Sequence, residues 1–187
     1  MSDTIIGYHF SSDVLRNGDP IPPIGQWLKH EGDVKPCKSG LHASEHPFDA
    51  LQWAPGSLLH RVELRGDLQS RGDPVDKWAG RERRILQTID ATDLLRVFAR
   101  WCALQVMDFW DAPQVVHDYL KTGDECKRQA AGAAAWEARE AARAAREAAR
   151  EAAWAAAWEA AWAAARAAQR DEFARLVDQA FKEVGDE

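Results

Sequence analysis

Histidines concentrate in the first third of the chain. Five of the six lie before residue 61, at His9, His30, His42, His46 and His60. His42 and His46 are four residues apart and Cys37 precedes His42 by five, so these residue types could bind zinc. The spacing matches no zinc-finger pattern, however, and Pro47 beside His46 favours a turn over a shared helix face. We therefore predict turn and surface histidines and no metal site.

Serines near these histidines raise the question of a nucleophile. They are Ser11, Ser12, Ser39 and Ser44. A catalytic triad also needs an acid in a defined place, and the sequence contains no GxSxG, HExxH or glycine-rich phosphate-binding motif. Cys37, close to Lys35 and Lys38, is a weaker alternative as a reactive thiol. Motifs alone therefore predict no catalytic residue.

A second group that could do chemistry combines four cations with an indole. It consists of Lys77, Trp78, Arg81, Arg83 and Arg84. Guanidinium groups bind phosphate through paired hydrogen bonds, and an indole can stack on a base. The same segment, KWAGRERRIL, also fits the solvated first turns of a helix whose arginines pair with Glu82 and Asp76. Both alternatives stay open from the sequence.

The charge balance argues against one class of function. The 187 residues include 24 basic and 30 acidic side chains, a net charge of −6. Sequence-independent binding of bulk nucleic acid requires a basic surface, so we do not expect it. Three widely separated cysteines without a CxxC pair favour a reducing compartment, and no stretch of about 18 residues is apolar enough to span a bilayer. We predict a cytoplasmic protein without membrane association.

Glycine and proline divide the first 90 residues into short segments. The patterns of TIIGYHF, SGLHAS and SLLHRVELRGD predict strands, and HPFDALQWA predicts one or two helical turns. Next, TDLLRVFARWCALQVMDFW predicts a largely buried helix of about five turns. DAPQVVHDYLKTG predicts a shorter helix, with Asp111 as its cap and Gly123 closing it.

The last third of the chain is dominated by alanine. No glycine or proline occurs between Gly132 and Gly185, and a long segment rich in Ala, Glu and Arg without a breaker predicts a long helix. We therefore expect an α+β protein. Its parts are a small N-terminal sheet domain in residues 1–90, two packed helices in residues 91–123, and one long alanine-rich helix in residues 124–187.

Three tryptophans follow one another at a spacing of four on this helix, at Trp154, Trp158 and Trp162. Each would bury about 150–250 Å² when covered, which is too much apolar surface to leave in water. The row could dock on the N-terminal domain, mediate self-association, or bind another protein. We predict these residues as an interface and expect a homo-oligomer.

The segments GLHAS, HPFDALQWAPGSLLHRVELRGD, DKWAGRERRIL and the Ala/Trp/Arg-rich tail together resemble an uncharacterised family of small phage and bacterial proteins, a domain of unknown function. The resemblance covers almost the whole chain. It implies no activity. It does imply a phage or mobile-element setting, and with it an accessory role such as countering host defence.

The N-terminal segments YHFS, GLHAS and VELRGD also resemble small ADP-ribosyltransferase-like folds over about sixty residues. The resemblance implies that His9 holds the nicotinamide ribose of NAD. The late-strand glutamate or glutamine of that family has no clear match, and Glu63 and Glu82 are its candidates by elimination. Because this acid is missing, a binding use of the pocket fits better than catalysis.

We thus predict a non-catalytic accessory protein that binds a partner protein or a nucleotide-derived ligand and oligomerises through its C-terminal helix. The alternative is an NAD-dependent ADP-ribosyltransferase-like enzyme that modifies a host protein, with His9, Glu63 and Glu82 as its catalytic residues. The predicted ligand-binding residues are Tyr8, His9, Ser11, His42, Ser44, Lys77, Trp78, Arg81 and Arg84.

Overall fold

The computed structural model describes residues 4–109, 111–149 and 156–185. It is an α+β structure, as the sequence predicts. The chain forms two compact units, one of residues 1–95 together with 170–187 and one of residues 96–169. These units group the residues differently from the three consecutive segments expected from the sequence.

Seven strands in the described part of the chain form two antiparallel sheets. The strands are β1 (Thr4–Ser11), β2 (Trp27–Lys29), β3 (Leu41–Ala43), β4 (Leu58–Arg65), β5 (Gln69–Gly72), β6 (Val75–Gly80) and β7 (Glu82–Asp90). The larger sheet has the order β1-β4-β7-β2, and the smaller has the order β3-β6-β5. The predicted strands in TIIGYHF, SGLHAS and SLLHRVELRGD are therefore confirmed.

The helices are α1 (Pro47–Leu51), α2 (Thr92–Leu104), α3 (Gln114–Thr122), α4 (Glu125–Ala149) and α5 (Ala156–Gly185). Helix α1 lies within the predicted HPFDALQWA segment and begins with proline at its first turn. Its N-cap is His46, whose Nδ1 accepts a hydrogen bond from the backbone N–H of Phe48. His46 thus has a local structural role, because it satisfies one of the free N–H groups at a helix start.

The helical interpretation of KWAGRERRIL was wrong. The segment forms the end of β6 and the first half of β7, which follow each other at Arg81 and belong to different sheets. Along β7, buried Arg83 and Ile85 alternate with the more exposed Glu82 and Arg84. Arginine and glutamate favour helices intrinsically, but pairing with neighbouring strands and burial of alternate side chains override that preference.

The core of the first unit lies where β3, β4 and β7 meet. Val62 and Leu64 are fully buried and pack with Ala43 and Ile85. Gly80 makes this packing possible, because a Cβ at that position would lie 2.8 Å from Cγ of Leu64. The two sheets therefore approach closely at one end of β6.

The C-terminal end of α5 belongs to the same unit. Phe173, Val177 and Phe181 are buried at a spacing of four, which places them on one helix face. Phe173 stacks on Phe10 of β1, with ring centroids 6.4 Å apart. Within this unit, the long helix therefore packs through phenylalanine and valine, a contact that the sequence analysis did not predict.

The second unit contains α3 and α4, which pack together through Met107, Ala112, Val116 and Ala131. Helix α3 ends at Gly123, as predicted, in the left-handed conformation at φ 67°. Two other expectations were wrong. The N-cap of α3 is Pro113 rather than the predicted Asp111, and it makes no side-chain cap hydrogen bond. Helix α2 ends at Leu104, short of five turns, and Phe98 is the one residue within it that is buried.

The predicted alanine-rich helix is confirmed where the structure describes it, as α4 and α5 on either side of residues 150–155. Of the predicted tryptophan row, Trp162 is 57% exposed. Trp154 and the side chain of Trp158 lie outside the described residues. No helix in the described ranges is long and apolar enough to cross a membrane.

Candidate functional site

A pocket of about 600 Å³ opens in the first unit. Its walls come from β1, β3 and α1, from the segment that follows β1, and from single side chains of β6 and β7. It is lined by most of the predicted ligand-binding residues, namely Tyr8, His9, Ser11, His42, Ser44 and Lys77. Residues far apart in the sequence thus face one cavity.

A short backbone bridge brings β1 next to the end of β3. The N–H of Tyr8 donates to the carbonyl of Ser44 at 2.7 Å, and the N–H of Ser44 donates to the carbonyl of Tyr8 at 3.0 Å. The approach requires glycine at position 7, because a Cβ there would lie 2.6 Å from the carbonyl oxygen of Ser44. This bridge joins the two sheets along one wall of the pocket.

The other predicted binding residues, Trp78, Arg81 and Arg84, do not line the pocket. The indole N–H of Trp78 donates to Glu45 at 2.8 Å. Arg81 pairs with Asp67 and also donates to two backbone carbonyls. Because successive side chains of a strand point to opposite faces, β6 and β7 present Lys77 and Arg83 to the pocket and turn their neighbours away.

Arg83 is the most unusual side chain of the site. It is 5% exposed, and its Nη1–H donates to the carbonyl of His42 at 2.7 Å. Within the described ranges, its Nε–H has no acceptor and no carboxylate forms an ion pair with it. Burial lowers its pKa to about 10, so the group still carries a full charge at neutral pH. The sequence analysis placed Arg83 in the basic cluster but not in the predicted binding set.

Lys77 is the second buried cation. It is 9% exposed, and its Nζ lies 3.8 Å from the centroid of the Trp53 ring. A cation over an indole face gains about 0.5–2 kcal/mol, which offsets part of the cost of burial. That burial is the main reason why the pKa of Lys77 is lowered. The indole N–H of Trp53 is also buried without a partner among the described residues.

The histidines of the site are held neutral. Burial, together with the charges of Lys77 and Arg83, lowers the pKa of His42 from 6.5 to about 4. The pKa of His9 is lowered well below its ordinary value by burial and then by Arg83, His60 and His42. Nε2 of His42 accepts a hydrogen bond from the N–H of Cys37 at 3.1 Å, so its proton resides on Nδ1.

Ser11 belongs to a buried hydrogen-bond chain rather than to a nucleophilic dyad. Its hydroxyl donates to the carbonyl of Ser12 at 2.8 Å, so its oxygen accepts from Nε2 of His60 at 2.8 Å. Nδ1 of His60 in turn accepts from the hydroxyl of Thr88 at 2.8 Å. A general base would have to accept the serine proton, and here the histidine donates instead.

The two candidate catalytic glutamates do not line the pocket. Glu63 pairs with Arg84 at 2.6 Å, and Glu82 pairs with Lys29 at 3.0 Å and Arg65 at 2.7 Å. Among the lining residues, the one carboxylate is Asp19, which accepts a hydrogen bond from Asn17 at 2.6 Å. The wall of the pocket is therefore rich in cations and N–H donors and poor in acids.

The residues considered for zinc serve other purposes. The thiol of Cys37 accepts a hydrogen bond from Nη1 of Arg71 at 3.0 Å, and His42 and His46 make the contacts described above. In the described part of the chain, no three histidine, cysteine or acidic side chains are grouped so that they could hold a metal ion.

Comparison with known proteins identifies a family for the part of the chain that holds the pocket. Neither a curated protein nor a solved structure matches the chain. A family model does match residues 5–97, a range that includes every residue lining the pocket and excludes the alanine-rich helix, so it is shorter than the resemblance seen in the sequence. Residues 5–97 match the model of the family described as Domain of unknown function (DUF7666).

Proposed function

We propose that the N-terminal unit binds a nucleotide-derived anionic ligand in its pocket without transforming it. Arg83 carries the proposal, because it is a charged guanidinium that is 5% exposed and has no carboxylate partner among the described residues. An uncompensated buried charge costs several kcal/mol even after relaxation. A bound anion would supply the missing countercharge, and burial of the pair would strengthen their attraction.

The charge of the pocket supports the same ligand class. Five lining residues are lysines or arginines and one is acidic, although the chain as a whole carries a net charge of −6. The lining cations are Arg16, Lys29, Lys38, Lys77 and Arg83. A concave surface with one sign of charge raises the local concentration of ligands of the opposite sign. Phosphate groups match such a lining of arginine and lysine side chains.

An NAD-dependent ADP-ribosyltransferase is the second candidate. Its support is that His9, which the resemblance assigns to NAD, and Ser44, from the GLHAS segment of the same resemblance, line one pocket beside the backbone bridge between Tyr8 and Ser44. Against it stands the position of Glu63 and Glu82, which do not line the pocket and whose carboxylates pair with Arg84 and Lys29. Labelled NAD incubated with host lysate separates the two candidates. A modified protein band that His9→Ala abolishes supports the enzyme.

Calorimetric titration of the full chain with AMP, ADP, ADP-ribose and NAD tests the binding proposal. We expect at least one of them to bind, and Arg83→Met to weaken that binding about 10–100-fold, since a hydrogen bond from a charged group contributes about 1.5–3 kcal/mol. Arg84→Met is the matched control, because Arg84 is the next residue on β7 and faces away from the pocket. If none of the four ligands binds, or if both variants lose affinity equally, the proposal fails.

Self-association through the C-terminal helix is a separate part of the proposal. Its support is Trp162, which is 57% exposed on α5, and Trp136, which is 62% exposed on α4. Large exposed apolar side chains on a helix favour association with another surface.

We further propose a cytoplasmic setting in the producing cell, with an accessory role for a phage or mobile element, and action on a host protein or its ligand.

A further inference from the structure

We infer that the ligand presents a terminal phosphate monoester, which lies between Arg83 and Lys77 at the buried end of the pocket. This inference rests on the proposed binding function and specifies its ligand. It starts from the observation that two cations of one pocket, 5% and 9% exposed, have no ion-pair partner in the part of the chain that the structure describes.

The two cations converge on the same neighbours. The guanidinium of Arg83 donates to the carbonyl of His42, and Lys77 is the charge that acts most strongly on the imidazole of His42. Both also act on His9, which lines the same cavity. One small group in the space beside these histidines would therefore lie near both positive charges.

Most of the hydrogen-bonding groups around the space beside His9 and His42 are donors. Arg83 uses one N–H on the carbonyl of His42, and its Nε–H has no acceptor among the residues that the structure describes. The charged ammonium of Lys77 lies over the Trp53 ring, which attracts it, and it makes no hydrogen bond to an acceptor among the described residues. The neutral imidazole of His42 carries its proton on Nδ1 because Nε2 accepts from Cys37. Such a set suits a group that has only acceptor oxygens.

Charge distinguishes a monoester from the other phosphate groups. A phosphate monoester carries about −1.5 to −2 charges at neutral pH on three terminal oxygens. A phosphodiester carries a single charge, and the pyrophosphate of NAD distributes two charges over two phosphorus atoms. Two buried cations of one pocket that have no ion-pair partner among the described residues are therefore neutralised most completely by one terminal phosphate.

Pairs of ligands that share base and sugar test this inference by calorimetry on the full chain. The probes are the four common ribonucleoside 5′-monophosphates, their 3′,5′-cyclic counterparts, inorganic phosphate and NAD. We expect at least one monophosphate to bind ten-fold or more tightly than its cyclic counterpart, and inorganic phosphate to compete with it. Lys77→Met and Arg83→Met should each remove this preference, whereas Arg84→Met should retain it, with folding checked by circular dichroism.

The outcomes separate the inference from the proposed function. If NAD or a cyclic nucleotide binds as tightly as every monophosphate and the binding depends on Arg83, the terminal phosphate is refuted while the binding function stands. If neither phosphate nor any nucleotide binds to a folded protein, both are refuted. A preference for monophosphates that survives both Lys77→Met and Arg83→Met also overturns the inference, because the phosphate would then lie elsewhere.

Discussion

Replacement of Arg83 by methionine should separate stability from ligand binding. Burial lowers the pKa of Arg83 well below its ordinary value, to about 10. At about 1.4 kcal/mol per pH unit, the interior disfavours the charged form by about 3 kcal/mol. Methionine fills a similar space without a charge, so the variant removes that cost. It also removes the hydrogen bond to the carbonyl of His42, which contributes about 1.5–3 kcal/mol because its donor is charged.

These opposing effects nearly cancel in the ligand-free protein. We expect the free energy of unfolding of Arg83→Met to equal that of the wild type or to exceed it by up to about 1.5 kcal/mol. Most substitutions of buried side chains destabilise, so this outcome would be distinctive. Ligand affinity should fall at least ten-fold, because the countercharge is lost.

Urea denaturation with and without a bound nucleotide measures both quantities in one assay. A ligand that binds only the folded state raises the stability of the wild type, and this increment should disappear in Arg83→Met. Arg84→Met should keep the increment. If Arg83→Met loses more than about 3 kcal/mol without ligand, Arg83 stabilises the fold rather than awaiting an anion. If the increment persists, Arg83 does not bind the ligand.

Three further predictions concern the fold and its assembly. Phe173→Ala should lower the free energy of unfolding by about 3–5 kcal/mol because the ring is fully buried, whereas exposed Glu183→Ala should change it by less than about 0.5 kcal/mol in the same urea titration. Burial lowers the pKa of His60 from 6.5 to about 4, so the unfolded state binds its proton first and stability is lost as pH falls from 6.5 to 4. At pH 5 this loss of stability is about 2 kcal/mol. The His60→Gln variant should lack it when the free energies of unfolding of wild type and variant are compared at pH 7 and pH 5. An equal loss in both proteins would contradict the assignment of this loss to His60. Sedimentation should show a concentration-dependent oligomer that Trp158→Ala with Trp162→Ala reduces to a monomer, and a wild-type monomer at all concentrations would refute self-association.

Local patterns in the sequence sufficed for much of the fold. The alternation in TIIGYHF and SLLHRVELRGD predicted β1 and β4, and Gly123 marked the end of α3. The absence of glycine and proline predicted helix in α4 and α5. These features depend on neighbours a few residues apart, which the sequence displays directly.

The strands β6 and β7 were missed because the lysine, alanine, glutamate and arginine residues of KWAGRERRIL favour helix when taken alone. Only pairing with β4 and β3 makes the segment around Arg81 extended, and such pairing joins residues distant in the sequence. The same error hid the importance of Arg83. On a helix, the arginines of the cluster could share one face, whereas on a strand Arg83 and Arg84 must point to opposite sides.

The pocket was predicted in part, through resemblance rather than through pattern. His9 and Ser44 lie in the segments that resemble ADP-ribosyltransferase-like folds, and both line the pocket. The packing of α5 did have a local signal, since Phe173, Val177 and Phe181 repeat at a spacing of four. The interface was instead predicted at the tryptophan row, in a different part of the helix, because tryptophan side chains have the larger apolar surface.

Whether Arg83 neutralises an anionic ligand is tested most directly by the signal of its Nε–H in a nitrogen-15 correlation spectrum. Titration with a nucleoside monophosphate should shift this signal and the indole N–H signal of Trp53 with one common saturation curve. Both groups are buried, belong to residues that line the pocket, and have no acceptor in the described part of the chain. The Nε–H signals of Arg81 and Arg84 should stay in place, since those groups already pair with carboxylates. A bound nucleotide that moves Arg81 and Arg84 but leaves Arg83 unchanged would contradict the claim.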